Sequence, residues 1–479
     1  MDKRNLGMIA DFYEFTMANG YFNKNMNDIA YFDMFFRRVP DEGGFAIFAG
    51  LKQVIESVQN LRFTEEDINY LRSVNSSFSE EFLDYLRNFK FTGDIYAIPE
   101  GTIVFPGEPL ITVKAPLIEA QLLETLILLT VNHQSLIATK TRRIVNQAKG
   151  RPVMEFGARR AHGPDAAIYG ARAAIIGGAI GTSCSISAKE FDVTVSGTMA
   201  HSWIQSFDSE YEAFKTYAEI YPHGCTFLID TYDTLNSGLE NAIKVSNDIL
   251  APLGARPVAV RLDSGDLAYL SKEVRKRLDE AGYPDCKIVA TNSLDEKLIA
   301  SLLDQDAKID IFGVGENLIT AKSEPVFGGV YKLVAIEKDG NLIPKIKISE
   351  NVAKVTNPSH KKVFRFYSKE DGKALADLIT LANEEVLEGE YTIFDPANTW
   401  KRKILKDYYV KPLQEKIFEN GNLVYTSPSL KEIAEYSKRD LDTFWDEIKR
   451  MNNPHKYFVD LSQNLWDLKH HLLNTRGNN

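Results

Sequence analysis
From Arg151 onward the chain alternates short apolar runs with polar or glycine-rich residues and helical stretches: PVMEF, VTVSG, CTFLID, PVAVRLD, CKIVAT and KIDIFG. That rhythm predicts parallel strands joined by helices, in an open sheet or a barrel. Leu267, Leu270, Val274 and Leu278 share one helical face, as do Leu294, Leu298 and Leu302 with the neighbouring Ile299 and Leu303, so these helices are expected to cover the strands. Earlier in the chain, Tyr31 to Phe36 is aromatic and β-prone and runs into the Asp41-Glu42-Gly43-Gly44 turn cluster. Glu100 to Pro116 resembles two short strands around Pro106-Gly107, and Leu117 to Gln147 has helical spacing. After about Ile346 the rhythm stops. The pattern therefore predicts an α+β domain over 1–148, an α/β domain over 149–345 and an accessory region over 346–479.

Composition narrows the class. A chain of 479 residues is ample for two or three cores,. Its 44% hydrophobic and 25% charged residues argue against disorder and against a membrane protein,. The most apolar stretch, Leu122 to Val131, is broken by Glu124 and falls short of the roughly 20 residues a membrane span needs. A formal charge of −10 disfavours general nucleic-acid binding,, whereas a few local arginines still suffice for small anionic substrates. Cys184, Cys225 and Cys286 form no CxxC pair, which speaks against a zinc site or disulfide framework and for a reducing cytoplasm. Met1-Asp2-Lys3-Arg4 leads into Asp11 and Glu14 without an apolar core, so no export signal is expected.

Candidate chemistry gathers where the predicted strands end, the usual place for the active site of a βα fold. There lie Phe156-Gly157-Ala158-Arg159-Arg160, Asp230, Arg261-Leu262-Asp263-Ser264-Gly265-Asp266, Thr291-Asn292 and Gly313-Val314-Gly315. The adjacent Arg159 and Arg160 suit a phosphate, which a guanidinium fork can bind with two hydrogen bonds; a surface ion-pair cluster is the competing reading. Asp263 and Asp266, across a Ser-Gly turn, suit a hydrated Mg2+ held against substrate phosphates, or else serve only as turn residues. FGVGENLIT puts Gly313 and Gly315 between a strand and a helix, where bare N–H groups can meet phosphate. His201, after a Gly-Thr turn, is either a base or phosphate-accepting nucleophile or a helix-capping histidine. Asp230, one strand on, is a carboxylate that could orient it. No GxGxxG follows a strand and no Schiff-base lysine stands out, which disfavours a dehydrogenase or aldolase on this rhythm.

Taken together, the segments from DFYEFTMANGY (Asp11 to Tyr21) to GGVYKLVAI (Gly328 to Ile336), with the later NVAKVTNPSHKKVFRFY (Asn351 to Tyr367), resemble the nicotinate phosphoribosyltransferase family. The resemblance implies an irregular α/β barrel of the type II phosphoribosyltransferase kind beside an N-terminal α+β domain, in a homodimer. It implies joining nicotinate to phosphoribosyl pyrophosphate (PRPP), with ATP as co-substrate and Mg2+ as cofactor. His201 falls where ATP phosphorylates a histidine, and Asp230 where a carboxylate orients it. Thr198, Arg261 and Phe156 match nicotinate contacts, and Tyr13 resembles an aromatic clamp supplied by the neighbouring subunit. Arg159 and Thr320 match PRPP contacts, joined by Asn292, Gly313 and Gly315, with Asp263 on the metal. Ser183 stands where the related nicotinamide enzyme has an Asp that would repel a carboxylate substrate, which favours nicotinate. His162 departs from the family pattern and is assigned no role.

Overall fold
The computed structural model describes residues 5–351 and 354–476. The amino-terminal Met1 to Arg4, Val352 and Ala353 of the late motif, and the tail from Gly477 lie outside the described residues. Contacts divide the chain into two compact units, Ile137–Pro325 and the pair Met1–Leu136 with Val326–Asn479.

The unit Ile137–Pro325 carries a five-stranded parallel sheet. Its strands are β1 (Val153–Glu155), β2 (Thr226–Leu228), β3 (Ala259–Leu262), β4 (Lys287–Ala290) and β5 (Ile311–Val314). They lie in the order β1-β5-β4-β3-β2. These are five of the six apolar runs in the sequence. They are nearly continuous in apolar residues because both faces are covered: Phe227, Leu228, Ile288, Ala290, Phe312 and Val314 are wholly buried,. The sixth run, VTVSG, does not become a strand. Val195 is 56% exposed and makes a single bridge to Thr182, which in turn bridges Glu155 at the β1 edge.

Helices Leu267–Glu280 and Glu296–Asp304 follow β3 and β4 and bury Leu267, Val274, Leu278, Ile299 and Leu302 as their spacing predicts, whereas Leu298 faces outward. Each starts on an aspartate. Asp266 accepts from the Ala268 and Tyr269 N–H groups, and Asp295 from that of Leu298,. The α/β class is as expected.

The other unit is built from both ends of the chain. Strand Ile29–Phe36 pairs antiparallel with Ile111–Pro116 and with Gly329–Lys338, while Asp94–Ala97 pairs with Glu415–Glu419. Residues after 345 thus share a sheet with residues before 100, where the sequence pattern suggested a separate accessory region. The expected boundary at 148 lies past the end of helix Glu124–Gln147, whereas the contacts change over within it, between Leu136 and Ile137. Alternation along a strand reports which face is buried but not which strand lies beside it.

In this unit the fully buried Arg365 donates to Asp377 at 2.8 and 2.7 Å, to Asp440 at 3.3 Å and to the Ile103 carbonyl at 2.7 Å. Burial, then the charge of Asp377, pushes the nearby Glu108 carboxyl well above its ordinary value. The fold therefore favours the protonated form of Glu108 more than the unfolded chain does,. Its contribution is intact below the ordinary carboxyl pKa of about 4.3 and is lost as pH rises toward its folded value. Glu108→Gln removes that dependence, so Tm of the variant should gain on wild type as pH rises above the ordinary carboxyl value,. Parallel Tm-pH curves would refute the assignment. No helix among the described residues is long and apolar enough to cross a membrane.

Candidate active site
The C-terminal ends of β1, β3, β4 and β5 surround a cavity of about 440 Å³. Of the residues expected there, Phe156, Arg159, Ser183, Thr198, Arg261, Asp263, Asn292, Gly313 and Gly315 line it, together with Met199, Ala200, Thr291 and Glu316. The strands bury their apolar residues, and the chain turns polar where the sheet stops, which is why the chemistry collects at this edge.

Arg261, near the end of β3, is the most constrained cation. Its Nη1 donates to Thr198 Oγ1 at 2.6 Å and to the Met199 carbonyl at 3.2 Å, and Nη2 lies 3.9 Å from Asp263 Oδ1. Its Nε is buried with no hydrogen-bond partner among the described residues. Burial lowers the guanidinium from its ordinary value, and the charges of Asp263 and Asp230 pull it back; an arginine remains charged under such shifts.

His201 opens the short helix His201–Gln205. Its Nδ1 lies 3.0 Å from the Thr231 hydroxyl and its Nε2 3.7 Å from Asp263 Oδ2. Asp230, expected to steer this ring, faces elsewhere: Oδ2 accepts from the Asp263 N–H at 3.0 Å and the Ser264 hydroxyl at 2.5 Å. Asp230 thus braces the loop that carries Asp263, and the carboxylate beside the imidazole is Asp263, which also accepts from the Thr291 hydroxyl. The reason is geometric: β2 and β3 are neighbours, so the residue after β2 meets the loop after β3. Asp266, the other carboxylate of the DSGD turn, is spent on the helix cap.

The aromatic wall depends on glycines. A Cβ at Gly313 would sit 2.6 Å from the Phe156 ring and 2.7 Å from Thr291, and one at Gly157 would sit 2.6 Å from Ile319. Asn292 and Ser293 turn the backbone after β4 through left-handed conformations, φ 75° and 52°, a region asparagine tolerates better than most residues. Arg160 lies 3.8 Å from Glu316, the ion-pair reading, and both Arg159 and Arg160 line the cavity.

Besides Asp230, two further expected residues are placed differently. Thr320 is not among the cavity-lining residues and donates to the Glu316 carbonyl at 2.7 Å, closing a helical turn. Tyr13 belongs to the other unit, exposed on helix Phe12–Asn23. Groups of three or more His, Cys, Asp or Glu suited to hold a metal do not occur among the described residues. Thr231, Thr291, Ser264 and Glu155 were missed as partners, since hydroxyls beside a strand end carry no spacing signal of their own.

Family models cover most of the chain: the nicotinate phosphoribosyltransferase N-terminal domain over residues 8–132, the family model over 152–386 and its C-terminal domain over 360–469. The nicotinate phosphoribosyltransferase of Bacillus subtilis is 46% identical over 97% of this chain and 94% of that protein. The chain belongs to the nicotinate phosphoribosyltransferase family. The human family member is 31% identical over 96% of this chain and 95% of its own length. A crystal structure of human nicotinic acid phosphoribosyltransferase superposes with a TM-score of 0.86 at 30% identity, covering 96% of this chain and 99% of that one. A nicotinate-nucleotide pyrophosphorylase from Pyrococcus furiosus shares the fold more distantly, with a TM-score of 0.69 at 26% identity over 91% of this chain and 95% of that one.

Proposed function
We propose that this protein joins nicotinate to PRPP, giving nicotinate mononucleotide and pyrophosphate for NAD synthesis, coupled to ATP hydrolysis through phosphorylation of His201. Family membership and the names of its relatives support the reaction. The observation in the fold that carries it is Arg261, a half-buried cation held by Thr198 and Asp263 at one wall of a cavity that also presents the Phe156 ring. Such a cation and ring suit a flat anionic base.

In the transfer, the pyridine nitrogen forms a bond to the ribose anomeric carbon as the bond from that carbon to the pyrophosphate oxygen breaks. The nitrogen is already nucleophilic and needs no base, which leaves His201 for energy coupling. There ATP yields ADP and a phosphohistidine, which water later returns to imidazole and phosphate. Arg159 and the backbone at Asn292, Gly313 and Gly315 would hold PRPP phosphates. Asp263, which lines the cavity together with Glu316, matches the way Mg2+ is bound by one or two carboxylates plus substrate phosphates. The ion would neutralise charge on the departing pyrophosphate.

The family resemblance is what favours an irregular barrel; the strand order is open and is extended past β1 by the Thr182 and Val195 bridges. Tyr13 would reach a neighbouring subunit's base in a homodimer. The free thiols Cys184, Cys225 and Cys286 suit a reducing cytoplasm,.

The decisive experiment is product analysis with PRPP and Mg2+, comparing nicotinate, nicotinamide and quinolinate with and without ATP. Nicotinate mononucleotide formed faster with ATP is expected; product from nicotinamide or quinolinate alone would overturn the reading. Ser183 tests the choice of base. Ser183→Asp places a carboxylate against the substrate carboxylate. A charged hydrogen bond is worth roughly 1.5 to 3 kcal/mol, so the nicotinate-to-nicotinamide ratio of kcat/KM should fall about tenfold to a hundredfold. An unchanged ratio in a folded, active variant places Ser183 away from the base.

A further inference from the structure
Glu155, the last residue of β1, is a wholly buried carboxylate with two donors, one from each turn that flanks the base end of the cavity. One oxygen accepts from the Gly157 N–H, which closes the turn bearing Phe156. The other accepts from the Thr182 hydroxyl at 2.6 Å. Its carbonyl accepts from the Ser183 N–H at 2.9 Å, and Thr182 Oγ1 accepts from the Cys184 N–H at 3.0 Å. Phe156 is itself held by its N–H, which donates to the Val314 carbonyl at 2.8 Å. One side chain therefore ties the ring-bearing turn after β1 to the turn that presents Ser183, and does not itself line the cavity.

We infer that Glu155 is a positioning residue for base binding: its carboxylate clips the Phe156 turn to the Thr182-Ser183 turn and so sets the spacing between ring and hydroxyl that receives the pyridine base. This rests on the functional reading above. Both partners are donors, so an acceptor is required at Gly157. A glutamine can keep that bond through its oxygen and turn its NH2 toward Thr182, whose hydroxyl oxygen can accept it. An alanine leaves both donors unmet in a buried place. His201 and the strand-end backbone at Asn292, Gly313 and Gly315 depend on other segments, whereas Arg159 follows the clipped turn, so PRPP binding should feel the change less than nicotinate binding does.

The test is steady-state kinetics on the full-length Glu155→Ala and Glu155→Gln variants, varying nicotinate and PRPP in turn, with ATP-dependent labelling of His201 alongside. In Glu155→Ala, KM for nicotinate should rise about tenfold or more, well beyond any rise in KM for PRPP, and labelling should persist. Glu155→Gln should recover most of the loss. Equal rises in both KM values, or no rise, would overturn the inference. Should the alanine variant fail to fold, Thr182→Val removes one donor only, and a folded Thr182→Val enzyme with unchanged KM for nicotinate would overturn it equally. Wild-type protein that makes no nicotinate mononucleotide would sink the functional reading and this inference together, whereas an active wild type with indifferent variants sinks this inference alone.

Discussion
His201→Ala should abolish ATP hydrolysis and leave slow PRPP-dependent formation of nicotinate mononucleotide. The imidazole is the nucleophile of the proposed phosphoryl step, and it lies beside Asp263, which lines the cavity. Its neighbours Thr231 at Nδ1 and Asp263 near Nε2 orient the ring. The transfer reaction persists because Arg261, Phe156 and the strand-end backbone are independent of the ring. Incubation of wild type with labelled ATP and Mg2+ should deposit phosphate that is lost in acid and kept in base, since a phosphoramidate hydrolyses once its nitrogen is protonated. The variant should retain no such label. An alanine variant that hydrolyses ATP at the wild-type rate would remove His201 from the mechanism.

Arg261→Ala should cost at least about a hundredfold in kcat/KM for nicotinate, since it removes charge-assisted hydrogen bonds worth roughly 1.5 to 3 kcal/mol each. The loss has two parts. The substrate carboxylate would lose its cation, and Asp263 would lose the guanidinium 3.9 Å away. Arg261→Lys separates them, because an ammonium keeps the charge but not the fork that reaches Thr198 and the Met199 carbonyl,. The lysine variant should fall between alanine and wild type. Nicotinamide, being neutral, should be affected less than nicotinate. If alanine and wild type have the same KM for nicotinate and the same kcat, the base binds elsewhere.

Much of the site was legible because a parallel sheet writes its strands as apolar runs and its chemistry as the polar residues that end them. Phe156, Arg261, Asp263, Asn292 and Gly313 were found that way, and all line one cavity. Hydroxyl and carboxylate partners were harder. Asp230 and Asp263 both follow strands, and spacing alone cannot say which faces His201. The helix cap at Asp266 carried its ordinary signal, but the same residue also looked like half of a metal pair, and only coordinates separate the two. VTVSG read as a strand because Val193 and Val195 are β-prone, and local propensity yields when no neighbouring strand takes up the backbone.

By itself the sequence determined the α/β class, five of the parallel strands, the edge at which the polar residues gather and, through its ordered motifs, the family. Those properties are local, written within runs of a few residues that either bury or expose their side chains. The tertiary structure alone decided strand order, the joining of both chain ends into one sheet and the partners of each polar atom. It set Asp230 under the Asp263 loop, Asp263 beside His201, and Glu155 between two turns 27 residues apart. Such pairings depend on where distant segments meet, and hydrogen bonds between side chains form only once packing has brought their atoms within about 3 Å of each other.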